Sequence, residues 1–294
     1  MRLLARAYRA GARVARVSPP GARYGVARVA TAAIYRVLPG RWAAARRNYA
    51  AVLGRPEHDP EVTATLRRAV AGYGELLADF ALVGDLTPDG VEEMASADGR
   101  EHVDAALAAG KGAILALPHM GSWDMAGALG GVWGYPIVAV AERFPGSLDE
   151  EIVSSRSRHG LRIVPLGRSA AREIYRALDG GSLVALLCDL PHGPGMIEVE
   201  FFGGRAMVPA GPAAIACRRS CPILPGFVRR IAPARYHIHV DPPIDPPRGR
   251  GAGGGPHKES REVEAKLMRA VLERFEEFIR EYPDQWYAFR PILN

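Results

Sequence analysis

The sequence predicts an α/β fold with a mostly parallel central sheet flanked by helices, preceded by a basic helical N-terminal region and followed by a C-terminal helix. Three observations carry this reading. After Asp98-Gly99, short apolar runs bounded by Gly and Pro alternate with helix-length stretches, the pattern of buried parallel strands joined by crossover helices. Before that point the apolar spacing is helical. The 294 residues, 48% hydrophobic and 24% charged, suffice for a large core and exclude a disordered or multi-pass membrane chain.

Taken in order, the helical region runs from Met1 to about Gly84, with breaks at Ser18-Pro19-Pro20, Pro39-Gly40 and Arg55-Pro56 through Pro60. Within Glu61 to Val83, residues Val62, Leu66, Ala69, Val70, Tyr73, Leu76, Leu77 and Phe80 recur at spacings that mark one buried face. A helix from about Arg100 to Ala109 then leads into a strand at Ala113 to Leu117. Further strands are predicted at Pro136 to Ala141, Arg162 to Pro165, Leu183 to Cys188 and Ile223 to Arg230, with helices at Leu148 to His159 and Ala170 to Leu178 between them. Asp241 to Pro256 reads as a surface loop before a helix from about Lys258 to Glu281. The organisation is one domain over 1–294, divided into a helical region 1–95, an α/β core 96–250 and a C-terminal helix and tail 251–294.

Charge is unevenly distributed. The first 56 residues hold twelve arginines and neither Asp nor Glu, so the other 238 are mildly acidic, although the whole chain carries +6. Arg2, Arg6, Arg9, Arg13 and Arg16 fall at spacings of 4, 3, 4 and 3, one helical stripe with apolar residues between them. This pattern suits a basic amphipathic helix lying on anionic lipid. The excess of 35 Arg over Lys111, Lys258 and Lys266 fits a coding bias, but such a bias does not remove carboxylates. No stretch of about 20 apolar residues offers a spanning helix, and arginines interrupt every potential signal-peptide core. The expectation is a cytoplasmic, peripheral association with the inner leaflet of the cell membrane; nucleic acid, which would need aromatic stacking positions, is not expected.

Ligands in open α/β sheets sit beyond the carboxyl ends of strands, which directs attention to Leu117-Pro118-His119-Met120-Gly121-Ser122-Trp123-Asp124. An imidazole and a carboxylate lie five residues apart around a Gly-Ser turn. One reading makes Asp124 the acceptor of the His119 Nδ1 proton, leaving Nε2 as a general base for a hydroxyl. The other makes His119 an ordinary loop histidine and Asp124 a helix cap.

The segment resembles the HX4D motif of the bacterial lysophospholipid acyltransferase superfamily, and in particular the branch holding the late lipid A acyltransferases and the actinobacterial phosphatidylinositol mannoside acyltransferases. The resemblance extends through Arg47-Asn48 with Val52-Leu53-Gly54, Ala141-Glu142-Arg143, Arg156 ahead of Gly160, Ile197 to Gly203, Pro209 to Ala213 and Pro283-Asp284-Gln285-Trp286-Tyr287. It implies a membrane-associated enzyme moving a long fatty acyl chain from a coenzyme A or carrier-protein thioester, acyl-CoA being the expected co-substrate, to an anionic glycolipid; no further cofactor and no metal are expected. The branch implies the mannose 6-hydroxyl as acceptor; a lipid A precursor or another lysolipid is the alternative within the class, and a non-catalytic lipid-binding protein the alternative outside it. By position, the resemblance makes His119 the base, Asp124 its orienting acid and Glu198 an acidic residue near the histidine, with Glu200 on the same strand face. Arg143, Arg156 and Arg205, with Ser122 on the loop, are the expected substrate contacts. The family's frequent Arg-Asp pair is absent from Cys188-Asp189-Leu190-Pro191, where Leu190 stands instead of Arg.

Other features receive plainer readings. His237 and His239 share one face of a strand and are expected to be solvated rather than metal ligands. Cys217 and Cys221 are expected as buried thiols on a helical stretch, and the three cysteines fit a reducing compartment better than a disulfide framework. Gly249, Gly251 and Gly254 match G-x-G-x-x-G only formally, and no G-x-S-x-G indicates a serine hydrolase.

Overall fold

The computed structural model describes residues 2–167, 169–193, 195–247 and 257–293, and within them the side chains of all but 2–9, 41 and 257–259. The side chains of Arg2, Arg6, Arg9 and Arg41 and the formal glycine motif therefore lie outside the described residues. Four helices come first: α1 (Arg2–Val17), α2 (Pro20–Val37), α3 (Ala43–Leu53) and α4 (Pro60–Val83). Their breaks coincide with the Pro and Gly punctuation. Asp59 caps α4 by accepting the Glu61 amide at 2.8 Å, with Pro60 in the first turn where its missing N–H is harmless.

The core follows as α5 (Pro88–Met94), β1 (Ala95–Asp98), α6 (Arg100–Ala108), β2 (Ala113–Leu117), α7 (Trp123–Val132), β3 (Ile137–Ala141), α8 (Ser147–Ser157), β4 (Arg162–Pro165), α9 (Ala170–Asp179) and β5 (Leu183–Leu187). A hairpin of β6 (Met196–Phe201) and β7 (Gly204–Pro209), then α10 (Gly211–Arg219), β8 (Ile223–Ala232), β9 (Arg235–Val240) and α11 (His257–Glu281), completes it. The seven-stranded sheet has the order β1-β9-β8-β2-β5-β3-β4, parallel at every pairing except β8 with β9. Alternating side chains divide between two layers. Ile114, Val138, Val184, Ile223 and Phe227 join the core beneath α9, α10 and α11, whereas Ala113, Ile137, Leu183, Leu224 and Val228 join that beneath α5, α6 and α7. Burial on both faces explains the uninterrupted apolar runs.

The basic N-terminal region is less free than its composition suggests. Acids on α4 enter the interface with α2. Asp79, fully buried, accepts from Arg23 at 3.0 Å, from Tyr24 at 2.5 Å and from Tyr236 of β9 at 2.6 Å. Buried Glu75 pairs with Arg28 at 2.5 Å and also with Arg230 of β8. Among the described residues, four arginines of this region thus meet acids within the chain, since Arg16 pairs with Asp85 and Arg55 with Asp59. The close approach of α2 to α4 requires Gly74, where a Cβ would lie 2.6 Å from Thr31 Cγ2. The buried α4 face therefore differs from the apolar pattern in two ways: it includes Glu75 and Asp79, and Leu77 is 48% exposed.

His237 and His239 do share the face of β9, but they are partnered. His239 Nδ1 lies 2.5 Å from Asp98 at the end of β1 and its Nε2 lies 2.9 Å from Asp241, while His237 Nδ1 lies 3.0 Å from Ser96 Oγ. Burial works against a charge on His239, yet its hydrogen bonds to Asp98 and Asp241 prevail and raise its pKa above the ordinary 6.5. A raised folded-state value contributes stability that is full below the unfolded pKa and is lost as pH rises through the folded one. Thermal melts taken upward from pH 6 should therefore lose stability through this clamp between β1 and β9, and His239→Gln should flatten that part of the pH dependence.

Of the thiols, Cys188 and Cys221 are buried and Cys217 is half-buried. Cys221 lies one residue beyond the left-handed cap Ser220, outside α10, because the chain turns there into β8. Burial pushes its thiol up to about 11.

Candidate active site

The register of two parallel neighbours builds the site. Leu117 at the end of β2 stands opposite Leu187 at the end of β5. Both strands run the same way, so the residues two positions further on emerge side by side. These are His119 and Asp189. Their Nδ1 and Oδ1 atoms are 2.6 Å apart, and the backbone N–H of His119 donates to Asp189 Oδ2 at 3.0 Å. The indole Nε1–H of Trp286 donates to the same Oδ2 at 2.7 Å. Asp189 is fully buried, while the His119 side chain stays 28% exposed. A carboxylate has no proton to give, so Nδ1 is the donor in this pair, and Nε2 is the nitrogen left for a substrate. Cys188, immediately before Asp189, is kept a thiol by burial.

The loop carrying His119 is held from the C-terminal side. The His119 carbonyl accepts from the Tyr287 amide at 2.8 Å, the Gly121 amide donates to the Gln285 carbonyl at 3.1 Å, and Met120 bridges to Trp286 in antiparallel fashion. Gly121 has φ +57°, and a Cβ there would stand 2.0 Å from the Val228 carbonyl oxygen, so only glycine lets the loop pass this close to β8. Asn48 of α3 anchors the tail by donating to the carbonyls of Ala288 and Arg290 at 2.9 and 2.7 Å, and the Tyr49 hydroxyl donates to the Trp286 carbonyl. The Trp123 ring meets His119 edge-on, with centroids 5.6 Å apart.

The expected partner of His119 is corrected by this geometry. Asp124 does not orient the imidazole; it lies in the first turn of α7 and faces α8, where Arg156 Nε meets it at 2.6 Å and Arg156 Nη2 at 3.4 Å. The left-handed Gly121 turn and the start of α7 separate the two side chains. Arg156 is thus committed to Asp124, and its guanidinium also lies over the Phe80 ring. Ser122 is fully buried and caps α7 by accepting the Met125 amide at 3.3 Å, so its hydroxyl serves the helix rather than a substrate. Glu198 sits on the exposed face of β6 and pairs with Arg205 across the hairpin at 2.9 Å, which engages both residues with each other rather than with His119. Glu200 shares that face. Arg143 is exposed in the loop after β3. That loop nears the one after β5, where Glu142 meets His192 Nδ1 at 2.8 Å.

Asp189 is the partner of His119 that motif spacing missed. Its signal was an acid two residues past the second of two adjacent strands, and only a strand pairing could turn that into a contact. The Trp286 donor should matter as well. Trp286→Phe keeps an aromatic side chain but loses the five-membered ring and its N–H, and so removes a hydrogen bond to Asp189. With one donor to Oδ2 lost, the carboxylate is held less firmly against Nδ1, so kcat should fall with KM little changed, a split read by steady-state kinetics.

A doubly covered α/β sheet carries an imidazole–carboxylate pair at its carboxyl edge, the place where such sheets bind their ligands. The sequence profile of the bacterial lipid A biosynthesis acyltransferases matches residues 3–293, and the chain belongs to that family; the protein is an acyltransferase. Among characterised relatives, it is 29% identical over 293 residues to the phosphatidylinositol mannoside acyltransferase of Mycolicibacterium smegmatis, covering 97% of this chain and 89% of that one. It is 31% identical over 204 residues to the phosphatidylinositol mannoside acyltransferase of Mycobacterium tuberculosis, covering 66% of this chain and 58% of that protein.

Proposed function

We propose that the protein transfers a long-chain fatty acyl group from acyl-CoA to the 6-hydroxyl of a mannose on a phosphatidylinositol mannoside, working as a peripheral enzyme at the cytoplasmic face of the cell membrane. The observation that carries this reading is the His119–Asp189 pair, joined to the names of the two relatives. His119 Nε2 takes the proton of the acceptor hydroxyl as its oxygen attacks the thioester carbonyl. The tetrahedral intermediate then collapses, the C–S bond breaks, and the imidazolium returns the proton to the leaving thiolate. Asp189 holds the tautomer and stabilises the imidazolium throughout, while Asp124 fixes α7 behind the loop through Arg156.

Support for the membrane comes from the N-terminal region. Among the described residues no helix is long and apolar enough to cross a bilayer. The outer face of α2, however, exposes Val26, Val29 and Val37 at 71–74%. Such residues beside arginines favour an interfacial position, with the valines in the acyl boundary and the charges among headgroups.

The decisive measurement supplies palmitoyl-CoA or palmitoyl-carrier protein to the purified protein with phosphatidylinositol mannosides, a lipid A precursor and lysophospholipids, and reads the products by mass spectrometry. Gain of the acyl mass on the mannoside, from the CoA donor and with fragmentation placing it on O6, supports the proposal. Acylation of the lipid A precursor or a lysolipid instead would move the protein elsewhere in its family. Lipid binding without any transfer would leave a binding protein.

A further inference from the structure

We propose that the groove between α2 and α4 binds the phosphate of an anionic phospholipid headgroup in the membrane surface, apart from the reacting centre. The inference rests on the membrane reading above and gives it a place. The groove encloses about 190 Å³, and none of its lining residues belongs to the loops bearing His119 and Asp189. Three guanidiniums line it: Arg28, Arg36 and Arg67. Each is prepared differently. Arg28 is fixed at Nε by buried Glu75 yet remains 63% exposed. Arg67 lies over the Tyr35 ring at 5.4 Å, a contact that orders a flexible side chain without consuming its charge. Neither Arg36 nor Arg67 has a carboxylate partner among the described residues, whereas Arg16, Arg23 and Arg55 each have one.

Position narrows the ligand. Arg36 follows Val29 by seven residues, two turns of α2, so the edge of the groove meets the exposed apolar stripe of Val26, Val29 and Val37. When the stripe enters the acyl boundary, Arg36 lies at headgroup depth. A guanidinium fork there suits phosphate oxygens, and two forks with no acid beside them need an anion to offset their repulsion. Val70 and Ala71 give the groove an apolar side, consistent with a headgroup that carries its glycerol with it rather than a fully solvated ion.

The test uses the full chain with vesicles of phosphatidylcholine alone or with 30% phosphatidylinositol, read by co-sedimentation. Arg36→Gln with Arg67→Gln is compared with a charge-matched control, Arg13→Gln with Arg47→Gln, after melting temperatures show that both fold. The groove variant should bind phosphatidylinositol vesicles at least tenfold more weakly than the control. Equal losses would mean diffuse attraction and overturn the groove while leaving membrane association intact. Wild-type protein that ignores phosphatidylinositol altogether would overturn the membrane reading itself. Displacement from the vesicles by millimolar coenzyme A, abolished in the groove variant, would assign the phosphate to the donor and overturn the lipid headgroup.

Discussion

Asp189→Asn is expected to lower kcat by about three to four orders of magnitude with little change in KM, because an amide that donates to Nδ1 would stabilise the wrong tautomer of His119 and leave Nε2 protonated. The substitution preserves shape, so the circular dichroism spectrum and melting curve should stay close to those of the wild type. Asp124→Asn supplies the contrast. Its carboxylate pairs with Arg156, whose side chain is only 14% exposed, and losing it leaves a mostly buried guanidinium without its counter-charge. That variant should lose stability first, with activity falling through disorder of α7. Steady-state kinetics beside denaturant titration separates the two acids; if Asp124→Asn proved the one with intact folding and the greater loss of kcat, the assignment of Asp189 would be wrong.

His119→Ala should abolish detectable transfer, a loss of at least about 10²- to 10⁴-fold from removal of a general base, while vesicle association remains at the wild-type level. The separation is physical: the imidazole lies at the carboxyl edge of the sheet, and the arginines and exposed valines proposed for lipid lie on α2 and α4. Product analysis and co-sedimentation on the same preparation read both outcomes. Transfer that persists in the variant would remove the imidazole from the mechanism.

Much of the architecture was legible in the sequence because its signals are local. The Pro breaks that end α1, α2 and α3, the apolar runs of β2 and β5 and the amphipathic spacing of α4 each depend on residues within a few positions of one another. The loop after β2 was legible for the same reason, since a histidine just beyond a buried strand occupies the position where such sheets do chemistry. The buried acids of α4 were not. Glu75 and Asp79 look like solvent-facing residues until α2, β8 and β9 bring Arg28, Arg23, Arg230, Tyr24 and Tyr236 against them.

The sequence by itself thus determined the layered α/β fold, the helical basic beginning and the placement of a histidine, residue 119, just beyond the carboxyl end of a core strand. Only the tertiary structure decided which acid serves that histidine. The resemblance to the HX4D motif pointed to Asp124, five residues away, but a glycine turn and a helix start direct that carboxylate toward α8. Asp189, 70 residues away, is brought beside the ring by the parallel pairing of β2 with β5. Which strands become neighbours, and in what register, is settled by packing across the whole sheet, and no window of local sequence contains it.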